Sequence, residues 1–337
     1  MTHSTSASLA RHWALESACP ADWWVRLQCC AGGFFHSPLG LRAGAPEGAP
    51  IYATLRQGGE VLGVAAGVRF RCRLSCEARH AYFPTMPALV EPEWRDESLE
   101  VLAGDLREFG LADVRFDSFD APVWSALGKR ATRQEYVIPL TPGRDGAMPR
   151  CSDHHRRHIN RGEREQWALE ILRGDAAAIA LEDVMGLAGK RATERGAGFD
   201  PLVPPLAGDP PIDAPWGSTT FAARRGQSLL AAALVGWCNG RAFYISGGAT
   251  EAGYAAGASA WLHWRIQQRL ISDGFATYNL GGAPTTAIQP EDPSHGLHRF
   301  KMGFGAEIVG CVGTAWTLRP VHAEGHEMLR WAAGLWQ

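Results

Sequence analysis

Three groups of residues in this 337-residue chain have types and spacings that suit chemistry. The first is basic: His154, His155, Arg156, Arg157, His158, Arg161 and Arg164 crowd one short stretch. Arg157, Arg161 and Arg164 recur at helical spacing, so one helix face can present three guanidiniums to a phosphate. The same pattern also describes a plain solvated basic face. The second group is Tyr278-Asn279, a strand-like run just ahead of Gly281-Gly282. A strand ending there puts Asn279 at the mouth of an open sheet, where ligands of α/β proteins bind. Asn279 then either orients an amine or a carbonyl, or caps the turn while Tyr278 packs. Tyr244 has the same two readings. The third group is His295 and His298, which either titrate usefully near neutral pH or sit solvated in a loop.

Other chemistries find little support. The chain has no Gly-x-Ser-x-Gly elbow, so a serine nucleophile of that kind is not expected and direct attack is. Its eight cysteines include no CxxC, and Cys72 and Cys76 lack a second pair or a nearby histidine. They read as small buried side chains in a reducing compartment rather than as metal ligands or disulfides. His154 and His158 stand four apart, but no third ligand accompanies them, so no metal is expected. A formal net charge of -2 excludes a polycation built to coat DNA. No window approaches the roughly 18 to 20 apolar residues of a membrane span, and no signal-peptide pattern opens the chain. A cytoplasmic protein is expected.

The elements that must position these residues form an internal repeat. Tyr52 to Phe70 reads as two strands joined by a Gly-Gly turn, and Thr219 to Cys238 has the same plan around Arg225-Gly226. Helical periodicity follows at Glu97 to Phe109 and at Gly257 to Ser272, and return strands follow within Phe109 to Pro122 and Asp273 to Pro284. Four matches in one order argue for duplicated α/β domains. Between the halves lie a Pro/Gly linker, Thr141 to Arg150, and a basic helix expected within Ser152 to Ile171, with Ser152 or Asp153 as N-cap. A second helix is expected at Asp175 to Arg195, a proline-rich loop at Phe199 to Pro215, and a last helix at Val321 to Trp336.

Several segments, in this order, resemble the Fem-type aminoacyl transferases and their relatives in the GNAT superfamily of N-acyltransferases. FKMGFG (Phe300 to Gly305) within Gly296 to Leu318 looks like the family's FKxGFG element and closing strand. YISGGATE (Tyr244 to Glu251) and YNLGGAP (Tyr278 to Pro284) resemble the strand ends on either side of the long helix, and FFHSPLGLRA (Phe34 to Ala43) is a weaker match. The resemblance implies an α/β fold of two GNAT-like domains, each a mixed twisted sheet flanked by helices. They would comprise residues 1–147 plus 313–337, and 148–312 with the FKMGFG motif.

It further implies acyl or aminoacyl transfer to a small-molecule amine by direct attack. No cofactor is bound permanently, and aminoacyl-tRNA or acyl-CoA serves as co-substrate. Lys301, matching the motif lysine, would stabilise the oxyanion or leaving group, worth about 3 kcal/mol in a dry site; without the match it reads as a helix salt bridge. Phe300, Gly303 and Phe304 would shape the pocket with Tyr278, Gly281 and Gly282, and Arg42 holds the family's basic position toward an acceptor phosphate. Gly257 would bring helix N–H groups to a donor phosphate, although Tyr254 replaces the Gln or Arg of the superfamily's CoA loop. Three functions stay open: an aminoacyl-tRNA-dependent transferase acting on a peptidoglycan precursor or other amine, an acyl-CoA-dependent N-acyltransferase acting on an amino sugar or small amine, and a non-catalytic RNA- or nucleotide-binding protein.

Overall fold

The computed structural model describes residues 10–45, 48–71, 79–120, 129–140, 150–194, 196 and 216–319. The expected linker up to Arg150, the loop at Phe199 to Pro215, the last helix, Cys72 and Cys76 lie outside the described residues. In chain order the elements are β1 (His12–Glu16), α1 (Trp23–Cys29), α2 (Pro38–Gly44), β2 (Ala49–Gln57), β3 (Glu60–Arg71), β4 (Arg79–Phe83), β5 (Ala88–Leu89), α3 (Arg95–Glu108) and β6 (Asp113–Phe116). They continue with β7 (Lys129–Pro139), α4 (Asp153–Arg164), β8 (Ala168–Leu172), α5 (Gly174–Glu194), β9 (Trp216–Arg225) and β10 (Ser228–Cys238). The remainder are β11 (Arg241–Ala249), α6 (Glu251–Ala256), α7 (Ala258–Ser272), β12 (Thr277–Ala283), α8 (His295–Met302) and β13 (Glu307–Thr317). Two compact units divide the chain: residues 1–32, 47–131 and 312–337 form one, and 33–46 with 132–311 form the other.

In the first unit β1, β2, β3 and β4 pair antiparallel in sequence order, and α3 then crosses over so that β6 joins β4 in parallel. The Gly58-Gly59 turn between β2 and β3 has positive φ at both residues, as a tight hairpin demands. Leu99, Leu102 and Leu106 recur at helical spacing on the buried face of α3. Leu102 and Leu106 pack with Ile51, Leu55, Phe83 and Phe116. The Trp13 indole donates to the Ser98 carbonyl at 2.9 Å and fastens β1 to that helix.

The second unit repeats the plan. β8, β9, β10 and β11 pair antiparallel, α7 crosses over, and β12 returns parallel to β11 and antiparallel to β7. The run Leu230 to Val235 in β10 is buried throughout, the pattern of a strand covered on both faces. Helix α7 buries Trp261, Leu262, Trp264, Ile266 and Leu270, each such side chain worth about 1.5–3 kcal/mol when fully removed from water. The order hairpin, strand, helix, strand therefore occurs once in each unit, as β2-β3-β4-α3-β6 and β9-β10-β11-α7-β12.

Two local expectations are corrected. The basic helix stops at Arg164 rather than running toward Ile171: Gln166 takes a left-handed conformation at φ 54°, Trp167 turns inward against Trp261, and Ala168–Leu172 become β8. Nor does the strand at Tyr278-Asn279 end before the glycine pair. It continues to Ala283 through a bulge between Asn279 and Gly282, made possible by Gly281 at φ 74°.

Candidate active site

The site begins with a defect in the second unit's sheet. β11 and β12 pair at Arg241 with Thr277, Ala242 with Tyr278 and Phe243 with Asn279, and no further pairs follow. Each strand carries a bulge where the pairing stops. On β11 the register against β10 shifts at Ile245, and on β12 it shifts at Gly281. Bulges re-aim side chains and end pairing. Beside them lies a cavity of about 710 Å³, within the range that small ligands occupy. Tyr244 to Gly248 of β11, Leu280 of β12, and residues of α4, α5, α6, α7 and α8 line it.

Lys301 of α8 is in the cavity wall and only 4 % exposed. Its Nζ donates to the Gly282 carbonyl at 2.7 Å and lies 5.4 Å from the centre of the Tyr136 ring. Burial lowers its pKa from the ordinary 10.5 to about 7; the nearby Glu135 opposes this and Arg133 adds to it. Glu135 is itself buried on β7, accepting from Arg133 at 2.7 Å and from the Asn279 side-chain amide at 2.8 Å. Asn279 also accepts from the Gly281 N–H at 2.8 Å, so it clamps the β12 bulge that carries the carbonyl partner of Lys301.

His263 of α7 also lines the cavity, 3 % exposed, with Nδ1 2.8 Å from the Tyr278 hydroxyl. Burial, then the charge of Lys301 and of His155, lowers its pKa to about 3, so the imidazole is neutral at pH 7. The Tyr244 ring meets His263 edge-on at 4.7 Å, and burial raises both the Tyr244 and Tyr278 phenols above their usual range. His155 lines the wall as well; burial first, then His154, lowers it to about 4. Ser246 is 7 % exposed, and its Oγ has no hydrogen-bond partner among the described residues. A buried hydroxyl in that state costs about 1–3 kcal/mol unless a ligand completes it.

Among the residues singled out from sequence, Lys301, Tyr244, Phe300 and Gly257 line the cavity. Asn279, Tyr278, Gly281, Gly282, Gly303 and Phe304 do not, and those with side chains are buried behind it. The motif glycine Gly303 serves packing: a Cβ there would lie 2.3 Å from the His155 ring, and its carbonyl accepts the Ser152 N–H at the start of α4. Gly257 is constrained likewise, since φ is 74° and a Cβ would meet His158 at 2.1 Å. Arg42 is exposed on α2 and does not reach the cavity wall. Arg157 and Arg164 are exposed outside it, while Arg161 pairs with Glu165 at 2.6 Å and touches the Ala255 carbonyl at 3.4 Å. His298 bonds the Tyr136 hydroxyl at 2.8 Å, and burial followed by His295 lowers its pKa.

Sequence reasoning missed His263, Glu135 and Ser246. A signal for His263 exists: Ser259, His263 and Gln267 form a polar i, i+4, i+8 line among the apolar residues Ala260, Trp261, Leu262, Trp264 and Ile266. Arg133 and Glu135 alternate on one strand face, a weaker hint for Glu135.

Residues 150–302 match the family model for an acetyltransferase (GNAT) domain. No curated protein sequence matches the chain. Among solved structures the chain resembles that of FemX, at 12% identity over 88% of this chain and 97% of that one, with a TM-score of 0.64. It also resembles a conserved protein of unknown function from Bacteroides thetaiotaomicron (12% identity, 89% and 98% covered, TM-score 0.53). A tandem GNAT protein from the clavulanic acid biosynthesis pathway matches at 12% identity, with 92% and 99% covered and a TM-score of 0.50. Family model and fold agree: residues 150–302 match a GNAT acetyltransferase domain, and the chain has the fold seen in FemX.

Proposed function

We propose that the enzyme transfers an activated acyl or aminoacyl group to the amine of a small acceptor by direct attack inside the cavity beside β11 and β12. The observation that carries this reading is the parting of those strands at Phe243 and Asn279 beside a buried lysine whose pKa is about 7. Strand edges left unpaired there supply N–H and C=O groups for the donor's extended arm. The amine nitrogen attacks the acyl carbon, forming C–N as the bond to the carrier's sulfur or oxygen breaks. Protonated Lys301 gives its proton to the leaving group and then takes one from the new amide nitrogen, a relay favoured by a pKa near the working pH. The neutral His263 and the Tyr278 hydroxyl keep charge away from the approaching amine.

The donor is an aminoacyl-tRNA or an acyl-CoA. The Fem-type fold and the exposed Arg157 and Arg164 favour the first. One observation favours the second: among the described residues that line the cavity there is no Asp or Glu, so an aminoacyl ammonium would be buried without a counter-charge. Acceptors for the first reading are amines of cell-wall precursors, and for the second amino sugars or other small amines. Among the described residues no helix is long and apolar enough to cross a membrane. Thermal unfolding with acetyl-CoA, and separately with charged tRNA, tests the donor. A ligand at a hundred times its Kd adds about 2.7 kcal/mol. Stabilisation by neither, together with transfer from neither, would overturn the acyltransferase reading of this cavity.

A further inference from the structure

His263 of α7 carries one ring nitrogen that the fold does not use. Nδ1 meets the Tyr278 hydroxyl, while Nε2 has no hydrogen-bond partner among the described residues. Nor is Nε2 sealed in the core: the residue lines the cavity and the nitrogen opens on it. Its tautomer follows from its neighbour. Tyr278 is fully buried, and His263 Nδ1 is the one side-chain partner of its hydroxyl among the described residues. An imidazole that donated through Nδ1 would strand the phenol O–H in the core. The phenol therefore donates, Nδ1 accepts, and the neutral ring carries its proton on Nε2. Burial first, then the charges of Lys301 and His155, keeps the ring neutral at pH 7. Packing holds that N–H still: the rings of Tyr244, Phe300 and Phe304 surround the imidazole at centroid distances of 4.7, 5.8 and 5.8 Å. A fixed neutral donor in a site withdrawn from bulk water acts most strongly where negative charge develops during a reaction.

We infer that His263 Nε2–H is the hydrogen-bond donor to the acyl carbonyl oxygen during transfer, with Tyr278 as its positioning residue. This rests on the acyl-transfer reading above and assigns the oxyanion, a role that Lys301 does not fill while it serves the leaving group. As the amine nitrogen adds to the acyl carbon, the carbonyl π pair moves onto oxygen and is held by Nε2–H. The pair returns to re-form C=O as the bond to the carrier's sulfur or oxygen breaks. His263 ends with the proton it began with. Packing alone does not account for the residue, because an apolar ring would fill this aromatic surrounding without leaving a polar nitrogen open.

Two measurements test it. Nitrogen NMR of wild type labelled at histidine reads the tautomer directly, and the His263 signal is the one missing from His263→Gln. The expected result is a proton on Nε2 and a bare Nδ1 from pH 6 to 8, with Tyr278→Phe erasing that preference. A proton on Nδ1 instead, or a cationic ring at pH 6, overturns the inference without any substrate. The second measurement is transfer from acetyl-CoA, and separately from charged tRNA, to a panel of amino sugars and small amines. His263→Phe, which keeps a ring but no donor, should lose about 10²-fold or more in kcat with the donor KM within about threefold. His263→Gln, which restores an N–H, should regain about tenfold of that loss, and Tyr278→Phe should lose about tenfold in kcat. Unchanged kcat in His263→Phe overturns the inference and leaves the acyl-transfer reading intact, as does an equal loss in His263→Phe and His263→Gln. A wild type that transfers from neither donor overturns both.

Discussion

Replacing Lys301 with Met separates a catalytic lysine from a structural one, because the two roles move stability in opposite directions. Lys301 has a folded pKa of about 7 against the ordinary 10.5. The folded state therefore binds fewer protons than the unfolded chain between those values, and stability rises with pH across that window. Below about pH 7 both states are protonated and the full cost of burying the charge is present; above 10.5 it is gone. At about 1.4 kcal/mol per pH unit, the cost is about 4 kcal/mol at pH 7 and about 2 kcal/mol at pH 9. Met fills nearly the same volume but leaves the Gly282 carbonyl without its 2.7 Å partner, a loss of about 1 kcal/mol.

Lys301→Met is therefore expected to stabilise the fold by about 3 kcal/mol at pH 7, with the gain shrinking by about half or more at pH 9. Acyl transfer to a panel of amines should fall by about 10²–10³ in the same protein. The assays are urea unfolding at pH 6, 7, 8 and 9, and single-turnover transfer from whichever donor binds. A variant that is less stable at every pH by a constant amount would show that Lys301 forms a structural ion pair. Unchanged turnover would refute its place in the reaction.

Four further outcomes follow from the geometry. Because Glu135 holds the Lys301 pKa up, Glu135→Gln should move the high-pH fall of kcat, expected near pH 7, to lower pH; an unmoved limb in the pH–rate profile would mean another group sets it. Gly303→Ala forces a Cβ to within 2.3 Å of the His155 ring and should cost about 1–3 kcal/mol by chemical denaturation. Ser246→Ala removes a buried hydroxyl that has no partner among the described residues, so stability should hold or rise slightly while the ratio of kcat/KM between polar and plain acyl donors changes. Asn279→Ala unclamps the β12 bulge and should cost about 1–3 kcal/mol in thermal unfolding, with kcat falling further than donor affinity.

What was legible in the sequence is what local rules control. The Gly58-Gly59 and Gly226 hairpins and the apolar stripes of α3 and α7 follow from turn chemistry and periodicity, and all were readable. Lys301 was readable only through its motif, since a lysine one residue from a helix end is otherwise ordinary. The boundary at Arg164 was hidden because Trp167 obeys tertiary packing against Trp261, which no helical pattern announces. The bulge at Gly281 was read as a strand end, since a glycine pair marks both. Ser246 and Glu135 gain significance from burial and from the company they keep, and those are properties of the folded chain alone.

The repeated plan bears on why the proposed chemistry belongs to one copy of it. In the first unit β4 and β6 stay paired from His80 with Asp113 to Phe83 with Phe116, and the last pair is a stacked aromatic contact at 4.5 Å. That stack fills the position at which the second unit's strands separate. In the second unit Phe243 still meets Asn279, but Ile245 and Gly281 then add residues on opposite strands and the ladder opens. One extra residue on each strand, out of register with β10 and with β7, ends the β11–β12 ladder beside the cavity. The cost is lost ladder hydrogen bonds, and Asn279, Glu135 and Lys301 offset part of it by re-satisfying the backbone around Gly281 and Gly282. The residues that hold the cleft open are thus the same ones that set the charge state of its lysine, so a change that closes the sheet must also alter the pH at which the lysine can act.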